Sequence, residues 1–159
     1  MPTRTSLHFV ALMLSALSTG VFVGTRTSLG PSVETFSART YVEVQQATIR
    51  NLRPVMGPLL PAAVLANLAV LAVPRSTDRT TFALNLAGLA GQSAALALTV
   101  AIELPINARV LTWSPDDSPE GWEGVRDRWG ATHTIRAATS VLGLAALLGA
   151  ALLPPARSR

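Results

Sequence analysis

The chain has 159 residues, a net charge of +4 and no cysteine, with 49% of its residues apolar and 14% charged. Soluble domains carry roughly 25% charged residues, and the missing cysteine removes disulfides, iron–sulfur clusters and thiolate zinc sites. The basic residues are all arginine, flank apolar runs and form no cluster interleaved with aromatics, which argues against nucleic acid as a partner.

From Leu7 to Thr25 the only ionisable residue is His8, and from Pro54 to Val73 there is none. The same holds from Thr80 to Ile102 and from Ala137 to Ala156. Each run is close to the ~20 residues that carry a helix across ~30 Å of hydrocarbon. The expectation is all-α: one integral membrane domain over residues 1–159, an antiparallel four-helix bundle with spans at about 7–25, 54–73, 81–104 and 134–153. Arg4 before an apolar run looks like a signal peptide, with Ser18-Thr19-Gly20 as a small-residue cleavage site. The run continues through Val21, Phe22 and Val23, however, and is long enough to span, so it is read as a retained helix.

A polar segment broken at Gly30-Pro31 leads to an amphipathic helix over about 33–52, before span two. Pro58 and Pro61 fall in the first turns of that span and predict a bend there. A turn over 74–80 leads to span three, which Pro105 is expected to end. The loop Ser114-Pro115-Asp116-Asp117-Ser118-Pro119 follows, and then a long last helix from about Glu120, which enters the membrane near His133 and stops at Pro154-Pro155. The side holding both termini carries Arg4, Arg75, Arg79, Arg157 and Arg159 against Asp78 alone, whereas the other side mixes arginines with acids. Almost purely basic flanks favour the cytoplasm, so both termini are expected there, in a multi-pass protein of the inner or plasma membrane.

Polar residues fall on helical stripes. Trp122, Arg126, Trp129, His133 and Arg136 recur at steps of three and four, and Asn85, Gln92, Thr99, Glu103 and Asn107 at steps of seven and four. Glu43, Gln46 and Arg50 share one face of the helix before span two. In an antiparallel bundle these stripes reach the same, non-cytoplasmic end, so Glu43, Arg50, Glu103, Asn107, Arg126, His133 and Arg136 should converge. Bland readings stand beside this one: arginines snorkelling to the interface, Trp113, Trp122 and Trp129 as an aromatic belt, Gln92 and Asn85 as interhelical hydrogen bonds. Glu103 resists them, because a carboxylate at the end of an apolar span is costly unless partnered or protonated. His8 and His133 would lie a bilayer apart, which disfavours a bis-histidine haem. A mononuclear metal on Glu43, Glu103 and His133 is an oxygen-rich alternative to having no cofactor.

From Leu104-Pro105-Ile106-Asn107 through the acidic proline loop to Trp122-x-x-x-Arg126-x-x-Trp129-x-x-x-His133-x-x-Arg136, the sequence resembles the anthrone oxygenase-like membrane proteins, many of them grouped as domain of unknown function 1772. The size and the four-span layout match over nearly the whole chain. The resemblance implies a four-helix membrane fold and, for the fungal members, oxidation of an anthrone to an anthraquinone by O₂ with no recognised cofactor. His133 or Glu103 would then remove the proton, and Arg126, Arg136 or Arg50 would stabilise the enolate. Trp129 would stack on the flat substrate, and Asn107, Trp122, Gln46 and Glu43 would complete its binding surface. The competing reading is a non-catalytic protein of the lipid bilayer that holds a lipid, a small hydrophobic ligand or a partner subunit. The small-residue faces (Gly88, Gly91, Ala95; Gly143, Ala146, Gly149, Ala150) suit packing within one chain or in a homo-oligomer. Whether the outer end encloses a cavity bordered by Glu103, Asn107, His133 and Arg136 discriminates the readings, and a closed set of salt bridges with no cavity favours the structural one.

Overall fold

The computed structural model describes residues 4–73 and 79–153, nearly all of them helical. Helix α1 (Arg4–Ser28) and the single turn α2 (Gly30–Val33) precede the 35-residue α3 (Ala38–Ala72). Helix α4 (Arg79–Leu98) continues through a π-helical turn (Thr99–Glu103) into α5 (Leu104–Val110), and α6 (Trp122–Leu152) closes the chain. Four stretches are long and apolar enough to cross a bilayer: Thr5–Ser28, Ala38–Ala72, Arg79–Val110 and Trp122–Leu152. The turn at 74–78, with Arg75 and Asp78, lies outside the described residues, as do Pro154-Pro155, Arg157 and Arg159.

The long helices form a ring in the order α1, α3, α4, α6, with α6 returning to α1. Neighbours run antiparallel. Ser15 meets Asn67 across α1 and α3, while Gly88 lies against Leu147 and Gly91 against Gly143 across α4 and α6. Many large apolar side chains point outward, as Leu142, Leu65 and Phe9 do, and the interior combines small and polar residues with a few large ones such as Phe22, Leu60 and Leu147. Lipid offers no hydrophobic drive between helices, so close packing and hydrogen bonds must join them. A Cβ on Gly91 would come within 2.7 Å of the Gly143 Cα and of the Thr139 carbonyl oxygen, so glycine is what lets α4 and α6 approach. Much of the predicted small-residue face is thus spent inside the chain. Polar links add to it: the Thr19 and Ser140 hydroxyls meet at 2.6 Å, and Asn67 Nδ2 donates to Ser15 Oγ at 3.0 Å. The Ser18-Thr19-Gly20 stretch therefore sits in mid-helix, packed on α6.

Two boundaries differ from expectation. The amphipathic helix and span two are one continuous α3, with Pro54, Pro58 and Pro61 inside it; at about 1.5 Å per residue it is roughly 50 Å long, more than the hydrocarbon core requires. Pro105 does not end span three. The π-helical turn before it, in which the Leu104 N–H reaches back to the Thr99 carbonyl, places Pro105 in the first turn of α5, where its missing N–H is tolerated. Helix α6 starts at Trp122, after Gly121 takes a left-handed φ of 76° that favours glycine.

Candidate functional site

A cavity of about 420 Å³ lies at the end of the bundle where α3 begins and α4 ends. Its apolar wall includes Phe22, Ile49, Met56, Leu60 and Leu96, and its polar lining includes Gln45, Thr99, Glu103, Asn107, Trp129, His133 and Arg136. The π-helical turn presents Glu103 here; such turns insert one residue into a helix and are frequent at functional sites. Glu103 and His133 are each only 2% exposed.

At the deep end, Arg136 Nη2 lies 2.7 Å from Glu103 Oε2 and 2.7 Å from His133 Nδ1, while its Nη1 donates to Thr99 Oγ1 at 3.0 Å. His133 Nε2 is 3.0 Å from the Phe22 carbonyl oxygen. A carbonyl only accepts and a guanidinium only donates. The imidazole proton therefore sits on Nε2, and Nδ1 accepts from Arg136. Both ring nitrogens are engaged, so the 3.6 Å approach of Nδ1 to Glu103 Oε1 is neither an ion pair nor a hydrogen bond. Trp129 stacks on the imidazole at 4.8 Å between centroids, and the Arg136 guanidinium lies 4.2 Å over the Phe22 ring. One carboxylate oxygen is thus held by arginine and the other is left free.

That free oxygen has company. Five buried polar atoms without a hydrogen-bond partner belong to residues lining the cavity: Glu103 Oε1, Asn107 Oδ1, Gln45 Nε2, Trp129 Nε1 and Arg136 Nε. Buried polar groups are ordinarily satisfied. Each is closed off from water, so these two acceptors and three donors sit just behind the cavity surface, where a change of rotamer would bring them to it.

The cavity brings together Glu103, Asn107, Trp129, His133 and Arg136; the other predicted residues sit elsewhere. Glu43 is half-exposed and pairs with Arg39 at 3.8 Å, so the trio Glu43, Glu103 and His133 does not assemble. Among the described residues no three His, Asp or Glu side chains are grouped to hold a metal ion. Gln46 Nε2 donates to the carbonyls of Val110 (3.0 Å) and Trp113 (2.9 Å), and its Oε1 accepts from the exposed Arg50. Trp122 packs on Tyr41 at 5.4 Å, and Arg126 lies over Trp122 and pairs with Asp127 at 2.9 Å. Arg126 lines a separate, smaller cavity of about 290 Å³ with Arg26 and Glu34, which touches the first only through Thr25, Trp129 and His133. Sequence reasoning missed Gln45, one position from Gln46 and about 100° around the helix from it. It also missed the Phe22 carbonyl, a backbone group with no sequence signal.

A family model described as anthrone oxygenase matches residues 46–146. The chain belongs to the anthrone oxygenase family. The match takes in every cavity residue from Thr48 to Arg136 and leaves out Val21, Phe22, Thr25 and Gln45. Outside the matched residues, α1 supplies the Phe22 carbonyl to which His133 is hydrogen-bonded. Neither the curated proteins nor the solved structures show a significant match to the chain.

Proposed function

We propose that this protein is a cofactor-independent membrane oxygenase acting with O₂ on a flat, lipophilic aromatic substrate of the anthrone type. The observation that carries the reading is the free Glu103 Oε1, buried in an apolar cavity beside an arginine that holds the other carboxylate oxygen. Glu103 takes the proton from the activated ring methylene, and the electron pair left behind spreads onto the ring oxygen as an enolate. Unpartnered donors of residues that line the cavity, on Gln45, Trp129 and Arg136, are of the kind that stabilises such an oxyanion once the side chains turn toward it. The electron-rich anion reacts with O₂ directly; loss of water from the hydroperoxide gives the quinone, so one anthrone and one O₂ yield one anthraquinone and one water. His133 holds Arg136 in place and is not the base, because both its nitrogens are engaged. A purely structural role would be better served by a bundle end closed by salt bridges; here the Glu103–Arg136 pair borders a cavity.

The localisation belongs to the same reading: a multi-pass protein of the inner or plasma membrane, both termini cytoplasmic, with the cavity at the opposite face. The test is turnover of an anthrone by the purified protein, followed by anthraquinone absorbance and O₂ uptake. Glu103→Gln should lower it by about 10²-fold or more, the scale of a lost general base. Undiminished turnover in that variant would overturn the mechanism, and stoichiometric iron or flavin in the active protein would overturn its cofactor independence.

A further inference from the structure

Every cavity-lining residue that is itself exposed lies on α3 or on the segment from the π-helical turn into α5. These are Arg53 and Gly57 on one side and Val100, Leu104 and Ala108 on the other. None lies on α1 or α6. The cavity therefore opens sideways, between α3 and α4–α5, and not along the bundle axis. The lips are hydrocarbon: Val100 is 55% exposed, Leu104 47% and the neighbouring Val55 52%. Arg53 directly precedes Pro54, where the long apolar run begins. An opening with such lips faces the bilayer at the depth where hydrocarbon gives way to headgroups.

Two details say what passes through it. A Cβ on Gly57 would meet nothing within 4 Å, so the lip is unobstructed at that point. Arg53 makes no ion pair and no side-chain hydrogen bond among the described residues, although it lines the cavity. The deep end already holds the Glu103 carboxylate, so a second anion is unwelcome there and is attracted to the unpaired cation at the mouth.

We infer that this opening is a lateral portal for aromatic carboxylates drawn from the bilayer, with Arg53 holding the carboxylate at the membrane surface while the rings enter toward Glu103. The inference rests on reading the cavity as a site for a flat lipophilic molecule, and names its substrate class and its route. An amphiphile of this kind already lies in the membrane with its charge at the interface and its rings below, so it meets the portal in the orientation it needs.

The test uses the full chain in phosphatidylcholine nanodiscs, with binding read by energy transfer from tryptophan to anthracene-2-carboxylate or to anthracene-2-carboxamide, each corrected for partition into empty discs. The carboxylate should bind about tenfold tighter than the amide, the scale of one charge-assisted hydrogen bond. Arg53→Gln should bring the two within about twofold and Arg53→Lys should keep most of the difference, as expected for a charge effect. Gly57→Leu, whose Cβ enters open space at the lip, should slow association of both probes by about tenfold or more, since a narrowed gate acts on the entry rate. Equal binding of the two probes, or discrimination that survives Arg53→Gln, overturns the anion site; an unchanged association rate in Gly57→Leu overturns the portal. Glu103→Gln should not weaken the discrimination, since it removes only a repulsion. Failure of the portal with Glu103-dependent turnover therefore spares the oxygenase reading, and intact discrimination without O₂ uptake rejects the oxygenase alone.

Discussion

The centre of the site is one arginine shared by two acceptors. Arg136 neutralises Glu103 and occupies the histidine lone pair, so removing it leaves a carboxylate buried without a counter-charge. Breaking such a pair typically costs about 3–5 kcal/mol. Arg136→Met should therefore lower the unfolding midpoint measured by differential scanning fluorimetry, and adding Glu103→Gln to it should recover part of the loss. A double variant no more stable than Arg136→Met would mean that the pair is not coupled. His133→Ala removes a positioning residue and not the base. It should reduce turnover less than Glu103→Gln does, by about tenfold against 10²-fold or more. The reverse order of the two effects would assign the proton to the imidazole.

At the scale of the helices, the site depends on how closely α4 and α6 meet. Gly91 lies against Gly143 and Thr139 backbone atoms, which cannot move aside as a flexible side chain can. Gly91→Ala should destabilise the protein by about 1–3 kcal/mol, as overpacking does, and should weaken activity by separating Glu103 from Arg136. Gly124, on the open face of α6, is the control: a Cβ there meets nothing within 4 Å. Gly124→Ala should be neutral or stabilising by roughly 0.5–1 kcal/mol through helix propensity. Equal thermal shifts for the two variants would argue against close packing as the reason for Gly91. The π-helical turn belongs to this scale as well. It lets α4 run on through Pro105, and it sets Glu103 toward Arg136 on α6.

For the whole molecule, the proposed topology of four crossings puts the start of α1 and the end of α6 on one side of the membrane and the loop between α5 and α6 on the other. The absence of cysteine makes a labelling test clean. Asp117→Cys in intact cells should react with a membrane-impermeant maleimide, and Ser6→Cys should react only after lysis; the opposite pattern would invert the proposed orientation. Much of this level was legible in the sequence, because apolar length reports a membrane span directly and the helical period reports which residues share a face. The stripes of Trp129, His133 and Arg136 and of Glu103 and Asn107 needed nothing more than that. What each stripe meets was not legible, since it depends on how far every helix is rotated against its neighbours. Glu43, Arg50 and Arg126 have the right spacing and the right end of the bundle, yet rotation turns them to the exterior or into a second cavity, and it swaps Gln46 for Gln45 at the chamber wall. The sequence by itself determined the class, the four helices and the family. Only the tertiary structure decided that Glu103 keeps a free oxygen and which residues share its cavity, because both follow from contacts between helices distant in the chain.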